Sequence, residues 1–238
     1  MKLTRLTGCI ILVLSILFIF PISLSAAASK EKKTDWSRIY FLGESTTAHL
    51  RRRGTQLGQY AKTNVIAPDS GTLMLSSRTL SQTVRKVGSK EKISISEMLK
   101  EEQPPVLILS FGLNGIVGFH KSENRYLKAY ENLIKEIHEI TPDTRLVLQT
   151  VYPVAKEQQQ WKFSVSPEQL NLWIDSLNNR LAEFSADEDI QLLDTAVFLK
   201  DESGFLKPEF SADGIHLTSA GYEVILRKIA ENTEKWNR

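Results

Sequence analysis

The sequence comprises 238 residues, of which 42% are apolar and 24% charged, with 30 basic against 28 acidic side chains. That length holds one domain with a sizeable core, and the composition excludes a disordered chain. The near balance of charge excludes the strongly basic surface by which a nucleic-acid-binding domain is recognised.

Residues 1–28 read as a secretory signal peptide. Lys2 and Arg5 precede an apolar run from Cys9 to Phe20, Pro21 breaks the run, and Ala26-Ala27-Ala28 supplies small residues for cleavage after Ala28. An uncleaved N-terminal anchor is the alternative, because the stretch from Gly8 to Ala28 approaches the ~20 residues that span a bilayer. Pro21 and the alanines favour cleavage. Leu6-Thr7-Gly8-Cys9 is no lipidation box, since its cysteine precedes the apolar run instead of closing it. On either reading the domain is expected outside the cytoplasm, secreted or held on the outer face. Loss of Lys2 and Arg5 lowers the 30 basic residues by two to 28, equal to the 28 acidic ones. Cys9 is the only cysteine, so the exported domain has no disulfide, no thiol nucleophile and no cysteine metal site.

Residues 29–37 read as a polar linker, and 38–238 as a single domain. Arg38–Leu42 is a short apolar strand ended by Gly43. Asn64–Lys100 is expected to hold one strand near Val65-Ile66 and otherwise irregular loops. Val106–Leu109, entered through Pro104-Pro105, is a continuous apolar run, as expected for a strand buried on both faces. Leu146–Leu148 and Ile190–Leu193 repeat that pattern. Between them Tyr126, Tyr130, Leu133, Ile134 and Ile137 recur at helical spacing, stopped by Thr141-Pro142. Leu170, Trp173, Ile174, Leu177 and Leu181 mark a second helix, and Tyr222, Ile225, Leu226 and Ile229 a last one. Strands alternating with helices predict an α/β domain of three layers, flavodoxin-like, with a mainly parallel sheet.

In such sheets sites form beyond the carboxyl ends of the strands. Those ends carry Gly43-Glu44-Ser45, Gly112-Leu113-Asn114-Gly115 and, before the last helix, Asp213-Gly214-Ile215-His216. Each residue type has a place in acyl transfer. A serine hydroxyl needs a base to take its proton, and histidine titrates in the useful range. The imidazole needs a carboxylate to fix its tautomer, and Asp213 can fold back onto His216 three residues later. An oxyanion needs fixed donors, which the Asn114 amide and the N–H groups starting the helix at Ser45 can provide, with Gly43 leaving room for the carbonyl.

These blocks, in this order, resemble those of the SGNH (GDSL-like) hydrolase superfamily, over most of the domain from about Ile39 to Ile229. The resemblance implies a flavodoxin-like fold with Ser45, Asp213 and His216 as a triad. It further implies an oxyanion hole of the Ser45 N–H, the Asn114 amide and a second-block glycine. Gly71, within Asp69-Ser70-Gly71-Thr72, best fits that glycine, and Gly88 is the alternative. Two positions depart from the family pattern: Glu44 and Gly115 stand where aspartate is usual. Neither is the nucleophile, base or oxyanion amide, so the chemistry is expected to survive in a divergent branch.

Ser45 as a mere helix N-cap would leave Asn114 and the Asp213–His216 pair unexplained. The α/β-hydrolase elbow requires Gly-x-Ser-x-Gly, and Thr47 occupies its second glycine's position. His49 and His138 are expected on the surface, His120 in a solvated loop, and Arg51-Arg52-Arg53 on a solvated helix face. Trp173 is expected in the core, while Trp161 and Phe163 lie in a loop suited to covering a site. No histidine pair has zinc-ligand spacing, so neither metal nor cofactor is expected. The expected activity is that of an exported, monomeric serine esterase acting through an acyl-enzyme on O-acetyl groups of extracellular glycans. Lipase or lysophospholipase activity, an acyltransferase using the same acyl-enzyme, and a non-catalytic glycan-binding module are the alternatives. The intact set of Ser45, Asn114, Asp213 and His216 argues against the last.

Overall fold

The computed structural model describes residues 34–68, 73–86, 89–157 and 163–236. The expected leader, the first part of the linker, Gly71, Gly88 and Trp161 lie outside the described residues. Where the linker was expected to run into the first strand, Trp36–Arg38 forms a 3-10 turn, capped by Asp35, whose carboxylate accepts from the Ser37 N–H.

In chain order, β1 (Ile39–Gly43) leads through three short helices, α1 (Ser45–Ala48), α2 (Leu50–Arg53) and α3 (Tyr60–Thr63), to β2 (Val65–Ile66). A hairpin of β3 (Thr83–Arg85) and β4 (Lys92–Ser94) precedes α4 (Ile95–Glu102) and β5 (Val106–Ser110). There follow α5 (Ile116–Phe119), α6 (Glu123–Ile140), β6 (Arg145–Gln149), α7 (Pro167–Asp187), β7 (Gln191–Leu193), α8 (Ala196–Leu199) and α9 (Ser219–Trp236).

The main sheet has the order β2-β1-β5-β6-β7, with every pairing parallel. The strands are largely apolar because both faces of the sheet are covered, and their two-residue period divides them between two cores. Tyr40, Leu42, Leu107, Leu109, Leu146 and Leu148 meet Leu99, Tyr126, Ile137 and Leu177 from α4, α6 and α7. Ile39, Phe41, Ile108 and Val147 meet Leu50, Tyr222, Ile225 and Ile229 on the opposite face. This is the expected three-layer α/β domain, with the strand order of flavodoxin-like folds.

The chain passes outward from β1 to β2 and returns to β5 on the other side of β1. The order therefore reverses between β1 and β5, and beyond their carboxyl ends lies the crevice where such folds bind ligands. The region 64–100 is more regular than expected. The β3–β4 hairpin is too short to show a pattern of its own, but α4 carries a legible start signal. Ser94 Oγ accepts from the Glu97 N–H at 3.1 Å, and Glu97 Oε2 accepts from the Ser94 N–H at 2.8 Å, which closes a capping box. Among the described residues no helix is long and apolar enough to cross a membrane.

Candidate active site

Ser45 is the first residue of α1, placed at the crevice by the end of β1. The register sets Gly43 opposite Ser110 of β5. A Cβ at Gly43 would collide with Ser110 O and Thr47 Oγ1. Glycine is needed there for α1 to pack against the neighbouring strand.

His216 comes from the loop before α9, 171 positions after Ser45. Two contacts bring the two segments together, and a third closes the His216 loop. Arg53 Nη1 donates to Leu217 O, the Tyr222 hydroxyl donates to Thr46 O, and a bridge between Ser211 and Leu217 closes the loop itself. Gly214, at φ +96°, supplies the left-handed turn between Asp213 and His216. Its carbonyl accepts from the Ala155 N–H at 2.9 Å.

The result is a continuous line of three side chains. Asp213 Oδ2 lies 2.7 Å from His216 Nδ1, and His216 Nε2 lies 3.0 Å from Ser45 Oγ. A carboxylate only accepts, so Nδ1 must carry the ring proton, and Nε2 is left with a lone pair directed at the serine hydroxyl. Asp213 Oδ1 accepts from the N–H groups of His216 and Ile215 at 2.8 and 3.0 Å. Burial alone would raise the Asp213 carboxyl. The His216 ring and these two N–H groups outweigh it and hold the acid down to about 2. Asp213 is therefore an anion throughout the neutral range.

Asn114 follows β5 on the other side of the switch point. One of its Nδ2 hydrogens is committed to Leu73 O at 2.8 Å, which leaves the second to donate elsewhere. Gly115, the next residue, has φ +96°, and a Cβ there would stand 3.2 Å from both Met74 Sδ and Phe119 Cε2. The aspartate usual in the resembled family does not fit, because Met74 fills its space.

Several expectations require correction. His49 is not a free surface residue: its ring packs against that of His216, with centroids 4.4 Å apart, and its Nδ1 is buried. Burial, then the nearby His216, Arg53 and Arg52, hold His49 down to about 4 against the pull of Asp213. It is thus a neutral neighbour of the ring and not a competing base. His120 stacks on Trp173 at 3.5 Å, joining α5 to α7, instead of lying in solvent, and Trp173 is half-buried against the core. In the basic run only Arg52 is exposed. Arg51 donates to Val65 O and Ala67 O, which ties α2 to the end of β2. Helical periodicity could not reveal any of these, because each partner lies far away in the chain. Among the described residues there is no group of three or more side chains suited to hold a metal.

A parallel sheet in this order, with these side chains at its switch point, is the arrangement of an ester hydrolase. The chain belongs to the GDSL-like Lipase/Acylhydrolase family, whose model matches residues 41–224. A GDSL-like lipase from Bacteroides thetaiotaomicron VPI-5482 is similar in fold, with a TM-score of 0.60 and 18% identity, over 84% of this chain and 89% of that one. An acetyl xylan esterase, AlAXEase, is similar with a TM-score of 0.55 and 13% identity, over 81% and 98% of the two chains. No curated protein matches the sequence.

Proposed function

We propose that the protein is an exported serine esterase that cleaves carboxylic esters through an acyl-enzyme, with O-acetylated extracellular glycans as its substrates. The observation that carries this reading is the unbroken line from Asp213 through His216 to Ser45. His216 Nε2 takes the proton of Ser45 Oγ as that oxygen attacks the ester carbonyl. The oxyanion is held by the free Asn114 Nδ2 hydrogen and the Ser45 N–H. As the tetrahedral species collapses, the imidazolium returns its proton to the departing alcohol. A water, deprotonated by the same nitrogen, then releases the acid and restores Ser45.

The leaving alcohol must lie on the His216 side, since His216 protonates it. Beside Asp213 is a cleft of about 550 Å³, lined by Lys156, Glu157, Asp201, Ser211 and Asp213 over Leu206. Donors and acceptors so interspersed suit a polyol better than a hydrocarbon tail, which supports a glycan as the alcohol. The leader read from residues 1–28 supports export to where such glycans lie.

The direct test is labelling with a fluorophosphonate, followed by mass spectrometry. The adduct is expected on Ser45, and none is expected in His216→Ala. An unlabelled wild-type protein that still binds acetylated glycan saturably would overturn catalysis in favour of a binding module. Asn114→Ala is expected to lower kcat about 10²- to 10³-fold, as loss of one oxyanion donor does elsewhere. An unchanged kcat would remove Asn114 from the oxyanion site.

A further inference from the structure

Glu44 is a carboxyl group that the scheme above does not use. It immediately precedes Ser45 and is only 3% exposed. Its Oε1 accepts from the N–H groups of Gly112 and Asn114 at 2.9 and 3.1 Å, and Oε2 accepts from the Asn114 N–H at 3.0 Å. The acid at the end of β1 thus grips the backbone of the turn that carries Asn114. From the opposite side, the Tyr126 and Tyr130 hydroxyls of α6 donate to Phe111 O at 3.1 and 3.2 Å. The Phe111 N–H returns a bond to Tyr130 at 3.1 Å. Asn114 is therefore fixed twice, at its backbone N–H by Glu44 and at its side chain by Leu73 O.

A buried carboxylate satisfied by backbone N–H groups is costly to keep and costly to break. An apolar side chain would fill the space but could not hold the turn. We infer that Glu44 is a positioning residue whose ionised carboxylate sets the Ser45 turn and the Asn114 amide at a fixed separation. The kinetic part of this inference rests on the esterase reading above.

The ionised form is the better tether because a carboxylate accepts at both oxygens, whereas the acid brings an O–H toward a cluster of donors. Burial pushes Glu44 up to about 8, against the pull of the Gly112, Asn114 and Leu113 N–H groups. The titratable groups facing it are Tyr126 and Tyr130, both driven upward first by burial and further by the Glu44 charge. They stay protonated while Glu44 ionises.

The test compares Glu44→Gln with wild type from pH 6 to 9.5, in kcat and KM on p-nitrophenyl acetate. In parallel, the backbone amide resonances of Gly112 and Asn114 are followed by NMR. At pH 9 the variant is expected to show a kcat about 10- to 100-fold lower, with KM changed less than about twofold. The deficit should shrink toward pH 6, where wild type is protonated too. The two amides should shift through one transition near pH 8 in wild type, and not in the variant. Equal rates at every pH, or a rate ratio that ignores pH, would overturn the tether. If the variant does not fold, the wild-type amides decide, and amides that do not titrate overturn it as well. Titrating amides in a protein that hydrolyses no ester would keep the tether and sink the esterase reading.

Discussion

Replacing Ser45 with alanine is expected to lower kcat on p-nitrophenyl acetate by several orders of magnitude, up to about 10⁶. The magnitude follows from what remains. Without Oγ no acyl-enzyme can form, and His216 Nε2 faces an empty position 3.0 Å away. The Asn114 amide could still polarise a carbonyl for direct attack by water. That residual activity should match the contribution of the oxyanion donors and binding alone, some 10³–10⁴ over the uncatalysed rate. Folding should be unaffected, because among the described residues the hydroxyl bonds to His216 and the side chain is half-buried. The thermal midpoint is therefore the control: a large loss of rate at an unchanged midpoint supports Ser45 as nucleophile. Rates equal to wild type, or an acyl adduct trapped on another residue, would refute it.

Much of the fold was legible because its strands are buried on both faces. Val106–Leu109 and Leu146–Leu148 are apolar runs at the centre of parallel strands, and the long helices α6, α7 and α9 repeat at helical spacing. The weakly patterned elements were not legible. The hairpin strands carry three residues each, and Val84 is the buried one in its strand. Ser94-Ile95-Ser96-Glu97 did carry a capping signal for α4. At the site, the placement of Ser45, Asp213 and His216 on one rim was legible because their loops end strands or open helices, where an α/β sheet concentrates its chemistry. The supporting residues were not. Glu44 read as a harmless departure from a pattern, although its carboxylate holds the Asn114 turn. His49 read as a helix surface, although its ring meets one contributed 167 positions later by the number of the chain. Both roles depend on contacts across the switch point, which no local spacing encodes.

Those supporting contacts also shape what Asp213 must do in the proposed triad. Asp213→Asn is expected to lower kcat about 10⁴-fold while leaving the loop intact. Asparagine Oδ1 can still accept from the His216 and Ile215 N–H groups that Asp213 Oδ1 now holds. Its Nδ2 then has to face His216 Nδ1, where Asp213 Oδ2 sits at 2.7 Å. Two N–H groups cannot share that contact, so the ring proton moves to Nε2. That nitrogen becomes a donor toward Ser45 and can no longer take its proton. The loss should appear in kcat, with KM nearly unchanged, because no substrate contact is altered. The stability of the variant gives an independent check. The Asp213 carboxyl sits at about 2 in the folded protein, below its ordinary 3.8. Its contribution is therefore present above pH 3.8 and lost as the pH falls toward 2. Wild type should lose stability over that interval more steeply than Asp213→Asn, as thermal melts from pH 5 to pH 2 would record. Parallel acid profiles would show that Asp213 is not held as an anion by His216, and a variant with wild-type kcat would remove it from the triad.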